Sequence, residues 1–255
     1  MGVTIRDIPS ELHTFWNLFQ KTANRWDYSQ VFSDYVDMTL NFFKDTEMID
    51  NSFLDRYSIE EKQLFNSMFQ EMIKIFDKKI TNDTSWYDFF GNLYMELSSQ
   101  SKAAWFGQFF TPVTVVEAIV MLQGYSDMRG KGVRISDPTC GSGRFLLAFH
   151  AKNPGNYCYA EDLDPICAKM SAINMMMHGC EGEVVCHNSL EPETWTFGYK
   201  INPHLRITGL PSIANLNKED SFIMRAGVNR VKPQPIVVPS IKQILPQLSL
   251  FEEVV

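Results

Sequence analysis

The chain has 255 residues, 45% of them hydrophobic and 21% charged, with a net charge of −7 and five cysteines. That length supports a sizeable core in one large or two small domains, and the composition is that of a globular protein. No apolar run approaches the roughly 20 residues needed to span a bilayer, and no charged-then-apolar leader opens the chain, so a cytoplasmic location is expected. The acidic balance does not advertise nucleic-acid binding. A DNA contact would need a local basic patch, for which Lys200, Arg206, Lys218, Arg225, Arg230 and Lys232 are the candidates, or a partner.

Residues 1–104 read as a small helical domain. Leu12, Phe15, Trp16 and Phe19 recur at helical spacing, as do Leu64, Met68, Met72, Ile73 and Phe76. Ser58 followed by Glu61 forms a capping-box pattern before the second stripe. Trp86, Phe89, Phe90, Leu93 and Tyr94 mark a further helix, and all three stripes read as core. Residues 105–205 change character. Gly107-Gln108-Phe109-Phe110-Thr111-Pro112 precedes a helix, with Thr111 as its cap and Pro112 in its first turn. Short β-like runs then alternate with helical ones: Val133–Asp137, a helix from Arg144, Tyr157–Asp162, a helix from Pro165, and Glu183–His187. This alternation predicts βαβ units and a parallel sheet. From 206 to 255 prolines punctuate the chain, and a largely irregular extension is expected.

The richest stretch is Asp137-Pro138-Thr139-Cys140-Gly141-Ser142-Gly143, between a strand and a helix. A strand ending in an acidic residue, a glycine turn and then a helix is how a Rossmann-type sheet holds a nucleoside-like ligand, because glycine permits close backbone approach. An acidic residue about 20 positions further on, ending the next strand, can accept from ribose hydroxyls. Asp162 is the first choice, with Leu163 beside it; Glu161 is the alternative, and Asp164 reads as the cap of the helix that Pro165 starts. The cysteines contain no C-x-x-C pair and read as reduced thiols. His178, Cys180, Cys186 and His187 fall close together and could hold zinc, but an ordinary strand and turn is the favoured reading and no metal is expected.

The Asp-Pro-x-x-Gly-x-Gly turn resembles the S-adenosylmethionine loop of the amino-methylating DNA methyltransferases. Gly107–Pro112 resembles their Gly-x-Phe-[Phe/Tyr]-Thr-Pro segment, and Asn174-Met175-Met176-Met177-His178-Gly179 is similar to the modification subunits of type I restriction systems. The resemblance spans about residues 85–190 and implies an α/β, Rossmann-like methyltransferase sheet preceded by a helical domain. It implies S-adenosylmethionine as cofactor, with Phe110, Thr111 and Pro112 against its methionine end and Asp137, Thr139, Gly141, Gly143, Asp162 and Leu163 lining its site. Asn188, in His187-Asn188-Ser189-Leu190, stands where relatives place an Asp that reads the cofactor's adenine, and so implies weaker binding.

The same resemblance implies adenine-N6 methylation of DNA in a restriction-modification system, beside a specificity or methyltransferase subunit. Its catalytic Asn-Pro-Pro-aromatic motif is degenerate: Asn202-Pro203 is followed by His204 and Leu205, with no ring to stack on a flipped base. With little chain remaining, the protein reads as a truncated relative, either an enzyme using Asn202 and Pro203 or a catalytically inactive cofactor-binding interaction module. Gln247-Leu248-Ser249-Leu250-Phe251 resembles the pentapeptide by which bacterial proteins bind the replication sliding clamp, two leucine-type anchors and a Phe entering an apolar groove.

Overall fold

A computed structural model describes residues 8–45, 49–82, 84–100, 109–123, 128–191 and 193–228. Helix α1 (His13–Thr22) buries Phe15, Trp16 and Phe19, the stripe that its spacing predicts. Helix α2 (Tyr28–Phe42) lies outside the predicted stripes; it is capped by Asp27, whose side chain accepts from Ser29 N at 2.8 Å. Helix α3 (Ile59–Lys79) begins with the expected capping box: Ser58 Oγ accepts from Glu61 N at 3.2 Å, and the Glu61 carboxylate accepts from Ser58 N at 2.7 Å. Glu61 also accepts from Arg25 and Trp26, and the hydrogen-bonded Arg25 guanidinium lowers its pKa to about 2. One carboxylate therefore fastens the α1–α2 turn to the start of α3.

Helices α4 (Phe89–Gln100) and α5 (Val113–Leu122) lead into the sheet. Strands β1 (Arg134–Asp137), β2 (Tyr157–Asp162) and β3 (Glu181–Cys186) are parallel. They are linked through α6 (Arg144–Lys152) and α7 (Pro165–Met177), which forms one Rossmann-type half. Strands β4 (Phe197–Ile201) and β5 (Ile213–Leu216) continue the sheet antiparallel beyond β3, giving the order β1-β2-β3-β4-β5. Among the described residues no strand pairs with the outer side of β1. Its Arg134 and Ser136 are exposed, whereas β2 and β3 are largely buried.

The helices α1–α4 and the α7 face of the sheet share one continuous core, from Trp16 and Phe89 through Met175 to Val184 and Ile201. Tyr159 and Val185 on the opposite face meet Leu216 and helix α9 (Phe222–Val228), after the short α8 (Leu205–Thr208). The N-terminus of α9 is held by buried Glu183, which accepts from Ser221 Oγ at 3.0 Å and Phe222 N at 2.8 Å. The expectation of an irregular chain after 206 is therefore corrected for residues 213–228. There apolar side chains at strand and helix spacing find a sheet face to cover.

Candidate functional site

The loop between β1 and α6 turns on two glycines with positive φ, Gly141 at +54° and Gly143 at +91°. Gly141 N donates to Asp162 Oδ2 at 2.8 Å, and Asp164 N donates to Asp162 Oδ1 at 2.9 Å. Asp162 thus braces the loop from the end of the next strand and keeps lone pairs free for a ligand. A Cβ on Gly141 would lie 2.9 Å from the Phe110 ring, and one on Gly143 would lie 2.9 Å from Ser171 Oγ. Between these elements opens a cleft of about 360 Å³, lined by Phe110, Thr111, Thr139, Gly141, Arg144 and Asp162 among others. This falls within the roughly 300–1,000 Å³ of small-molecule sites.

Two carboxylates end the strands here: Asp162 lines the cleft, whereas Asp137, at the end of β1, lines a separate hollow of about 280 Å³ with Ser136, Pro138 and Phe145. Asp137 Oδ1 accepts from Thr139 N at 3.1 Å, whereas Oδ2 is buried and has no hydrogen-bond partner. Burial raises the Asp137 pKa, and the charges of Asp162 and Glu161 push the same way against the Thr139 N–H. Asp162 is raised as well, chiefly by burial. The unsatisfied Asp137 oxygen is an open acceptor behind the loop and not on the cleft wall. Replacing Gly141 with Val is expected to weaken small-molecule binding by at least about 10-fold, since a β-branched side chain at positive φ must also displace Phe110. Ligand calorimetry that finds wild-type affinity in this variant would remove the loop from the site.

The structure brings Phe110, Thr111, Thr139, Gly141 and Asp162 together at the cleft. Gly143 serves the same turn from behind. Helix α5 starts one residue later than expected, with Pro112 itself as the cap residue, its carbonyl accepting from Val115 N and Val116 N at 3.0 Å. Leu163 is exposed at the sheet end. Glu161 is not an alternative to Asp162. It points to the other face, fully buried, accepting from Ser136 Oγ at 3.1 Å and bonded to His187 Nε2 at 2.8 Å. Asn188 follows β3, one residue beyond His187, whose N–H donates to the Asp162 carbonyl at 2.9 Å. It stands at the same end of the sheet, but its Oδ1 already accepts from Leu190 N at 3.1 Å in a local turn. Gly107, Gln108 and the Gln247–Phe251 segment lie outside the described residues.

Asn202 and Pro203 are not at this site, which corrects the expectation for them. Strand β4 runs antiparallel to β3, so its C-terminal Ile201 pairs with Gly182 while Asp162 pairs with Cys186. That separation is roughly 13 Å along the sheet at 3.3 Å per residue. Asn202 is fully buried with φ of 53°. Its Nδ2 donates to the carbonyls of Met176 at 3.0 Å and Cys180 at 2.8 Å, and its Oδ1 accepts from Ser212 N at 3.0 Å. This is a structural turn with every polar atom used. Asn202→Ala is expected to cost about 1–3 kcal/mol of stability through orphaned carbonyls and lost left-handed backbone preference, while ligand affinity stays at the wild-type value. A denaturation midpoint unchanged from wild type, or a lost ligand affinity, would contradict this.

A second group of residues has no counterpart in the sequence-based expectations. Asp88, just before α4, is completely buried and accepts from Ser142 Oγ at 2.6 Å, Asn174 Nδ2 at 2.7 Å and Gly91 N at 2.7 Å, and from Arg144 Nε. Arg144 also donates to the Thr111 carbonyl at 2.8 Å and Asn92 Oδ1 at 2.9 Å, with its guanidinium over the Phe110 ring at 5.6 Å. The network ties the helical region to the glycine loop and to the segment covering the cleft. Asp88 is legible beforehand only as the capping residue of a helix.

Residues 85–206 match the family model for N-6 DNA methylases. The chain is 26% identical over 160 residues to the type I restriction enzyme MjaIX methylase subunit of Methanocaldococcus jannaschii, covering 58% of this chain and 27% of that protein. It is 30% identical over 113 residues to the HindI methylase subunit of Haemophilus influenzae, covering 40% and 24%. The chain spans about a quarter of the length of these relatives. A type I restriction-modification methyltransferase subunit from Streptococcus thermophilus aligns in structure over 69% of this chain and 57% of that one, at 13% identity and a TM-score of 0.37, too slight a likeness to carry weight.

Proposed function

Taking residues 85–206 as N-6 DNA methylase-like, resembling the type I methylase subunits over part of their length, we propose that the chain binds S-adenosylmethionine in the cleft between Phe110, Gly141 and Asp162. The observation that carries this reading is the cradle itself: a loop whose Gly141 has no room for a Cβ, braced by Asp162 and faced by Phe110. In it the Asp162 carboxylate accepts from the ribose hydroxyls. Phe110 and the Thr111 backbone close over the methionine end, held there by Arg144. Asp137 shapes the start of the loop through its bond from Thr139 N. The cofactor supplies an electrophilic methyl group on sulfur, and the chain's contribution is to orient it and exclude water on one side.

The substrate class that fits the relatives is DNA with an adenine amino group as acceptor, within a restriction-modification assembly that includes a specificity subunit. The position of Asn202 favours the second reading, that this chain holds the cofactor without performing transfer alone. The Asn202-Pro203 pair, which the resemblance assigns to the target amino group, is not among the described residues lining the cleft. Docking on the sliding clamp through Gln247–Phe251 rests on sequence resemblance only. The deciding experiment measures S-adenosylmethionine binding by calorimetry, then methyl transfer to adenine-containing DNA by the chain alone. Micromolar binding without transfer is the expected result. Absence of binding would refute the cofactor site, and transfer by the chain alone would refute the non-catalytic reading.

A further inference from the structure

Three side chains far from the cofactor cleft come together in a way that neither the cleft nor the fold requires. His150 lies near the end of α6, Cys158 is the second residue of β2, and Cys180 immediately precedes β3. Their ligand atoms all lie within 4.8 Å of one another. Both cysteines are fully buried. His150 Nδ1 is buried and finds no hydrogen-bond partner, although most buried polar atoms have one. The histidines expected nearest to these thiols are committed elsewhere. His178 is bonded to the Asn174 carbonyl at 2.6 Å and accepts from Tyr87 N at 3.0 Å, and His187 is bonded to Glu161. The set suggested by spacing, His178, Cys180, Cys186 and His187, does not assemble, but one of its cysteines does assemble with residues 22 and 30 positions upstream.

We propose that His150, Cys158 and Cys180 form a zinc-binding site that clamps the end of the sheet opposite the cofactor cleft. Zinc takes thiolate at about 2.3 Å and imidazole nitrogen at about 2.0 Å, which puts such ligand atoms about 3.5–3.8 Å apart. The three groups are therefore within rotamer adjustment of a tetrahedral face, the fourth position going to water on the side of half-exposed His150. Charge balance suits a divalent ion: two thiolates, a neutral imidazole and Zn²⁺ sum to zero, which limits the penalty of burial. On binding, the thiol protons leave to solvent and two sulfur–zinc bonds and one nitrogen–zinc bond form, with no change of oxidation state. The ion would join the far end of α6, whose near end carries Gly143 and Arg144, to the start of β2, whose far end carries Asp162.

Cobalt(II) is the probe, added to the full chain after reduction and chelator treatment, because it reports thiolate ligation without relying on variants. The expected result is one cobalt per chain, with thiolate-to-metal charge-transfer absorption and intense visible bands of tetrahedral geometry, both bleached by added zinc. Cys158→Ala and Cys180→Ala are each expected to lose on the order of 100-fold or more in zinc affinity. Cys186→Ala should retain it. Zinc should raise the unfolding temperature of the wild type and not of the cysteine variants. A reduced wild-type chain with all five thiols titratable that shows no thiolate–cobalt absorption would overturn the site. So would absorption that survives both alanine substitutions. Rapid closure of a Cys158–Cys180 disulfide in air, with no cobalt uptake in the reduced chain, would reassign the pair to redox chemistry.

Discussion

Asp88→Ala is expected to destabilise the chain by about 3–5 kcal/mol, a large part of the roughly 5–15 kcal/mol that folded domains possess. Four donors converge on this one carboxylate, and the Arg144 side chain that it neutralises is only 8% exposed. Removing the carboxylate leaves a guanidinium buried without its counter-charge and orphans Ser142, Asn174 and the Gly91 N–H. The unfolding temperature should fall by roughly 6–20 °C for a domain of this size. Asp88→Asn preserves shape but turns an amide N–H₂ toward Arg144 or Ser142, so it should recover little. Pairing Asp88→Asn with Arg144→Met removes the stranded charge and should recover a measurable part of the loss, a non-additive result diagnostic of direct coupling. If Asp88→Ala unfolds within 1 kcal/mol of wild type, the network is not what joins the helical region to the loop.

The same network sets the position of Phe110 and Thr111, so its disruption should reach the cleft. A milder change at Arg144, such as Arg144→Lys, keeps a charge near Asp88 but cannot span Asp88, Thr111 and Asn92 together.

Asp162→Ala is expected to weaken S-adenosylmethionine binding by 10-fold or more, at least about 1.4 kcal/mol, by calorimetry. The variant loses the proposed ribose acceptor and also the bonds from Gly141 N and Asp164 N that shape the loop. Asp162→Asn keeps one oxygen acceptor and should fall between the two. The acid side of the binding profile follows from the same carboxylates. Asp137 and Asp162 protonate above the usual aspartate range because burial penalises their charge. Cofactor affinity should therefore begin to fall on acidification at higher pH than for exposed aspartates. The effect on folding has the opposite sign: a raised folded-state pKa means that ionisation costs stability at neutral pH, and that cost disappears as pH falls through the folded pKa. Wild-type affinity in Asp162→Ala would remove Asp162 from the cofactor's contacts.

Much of the fold was legible from the chain because it is written in short-range patterns. Helical stripes fixed α1, α3 and α4. The Ser58–Glu61 pair fixed the start of α3 to the residue, since a capping box is a local hydrogen-bond exchange. Alternating β-like and helical runs gave β1, α6, β2, α7 and β3 within a residue or two. The Asp137–Gly143 turn and the acidic end of β2 were identifiable because backbone angles and strand termini are properties of neighbouring residues.

What the sequence could not determine depends on which distant segments meet. The two strands beyond β3 were not read from the chain at all, and local pattern does not say on which side of the sheet, or in which direction, they add. Only the antiparallel pairing of β4 with β3 sends Asn202 to the far end of the sheet, where it is consumed as a turn. Glu161 and Asp162 are adjacent in the chain, and strand alternation put them on opposite faces, one sealed against His187 and one holding the loop. Asp88 reads as an ordinary helix cap until two segments 54–86 residues away deliver a hydroxyl, a guanidinium and an amide to it. His150, Cys158 and Cys180 likewise become a cluster only through the packing of α6 on β2. Local sequence determined the elements and the glycine turn; tertiary packing decided which polar side chains face each other, because desolvated partners are chosen by proximity in space and not along the chain.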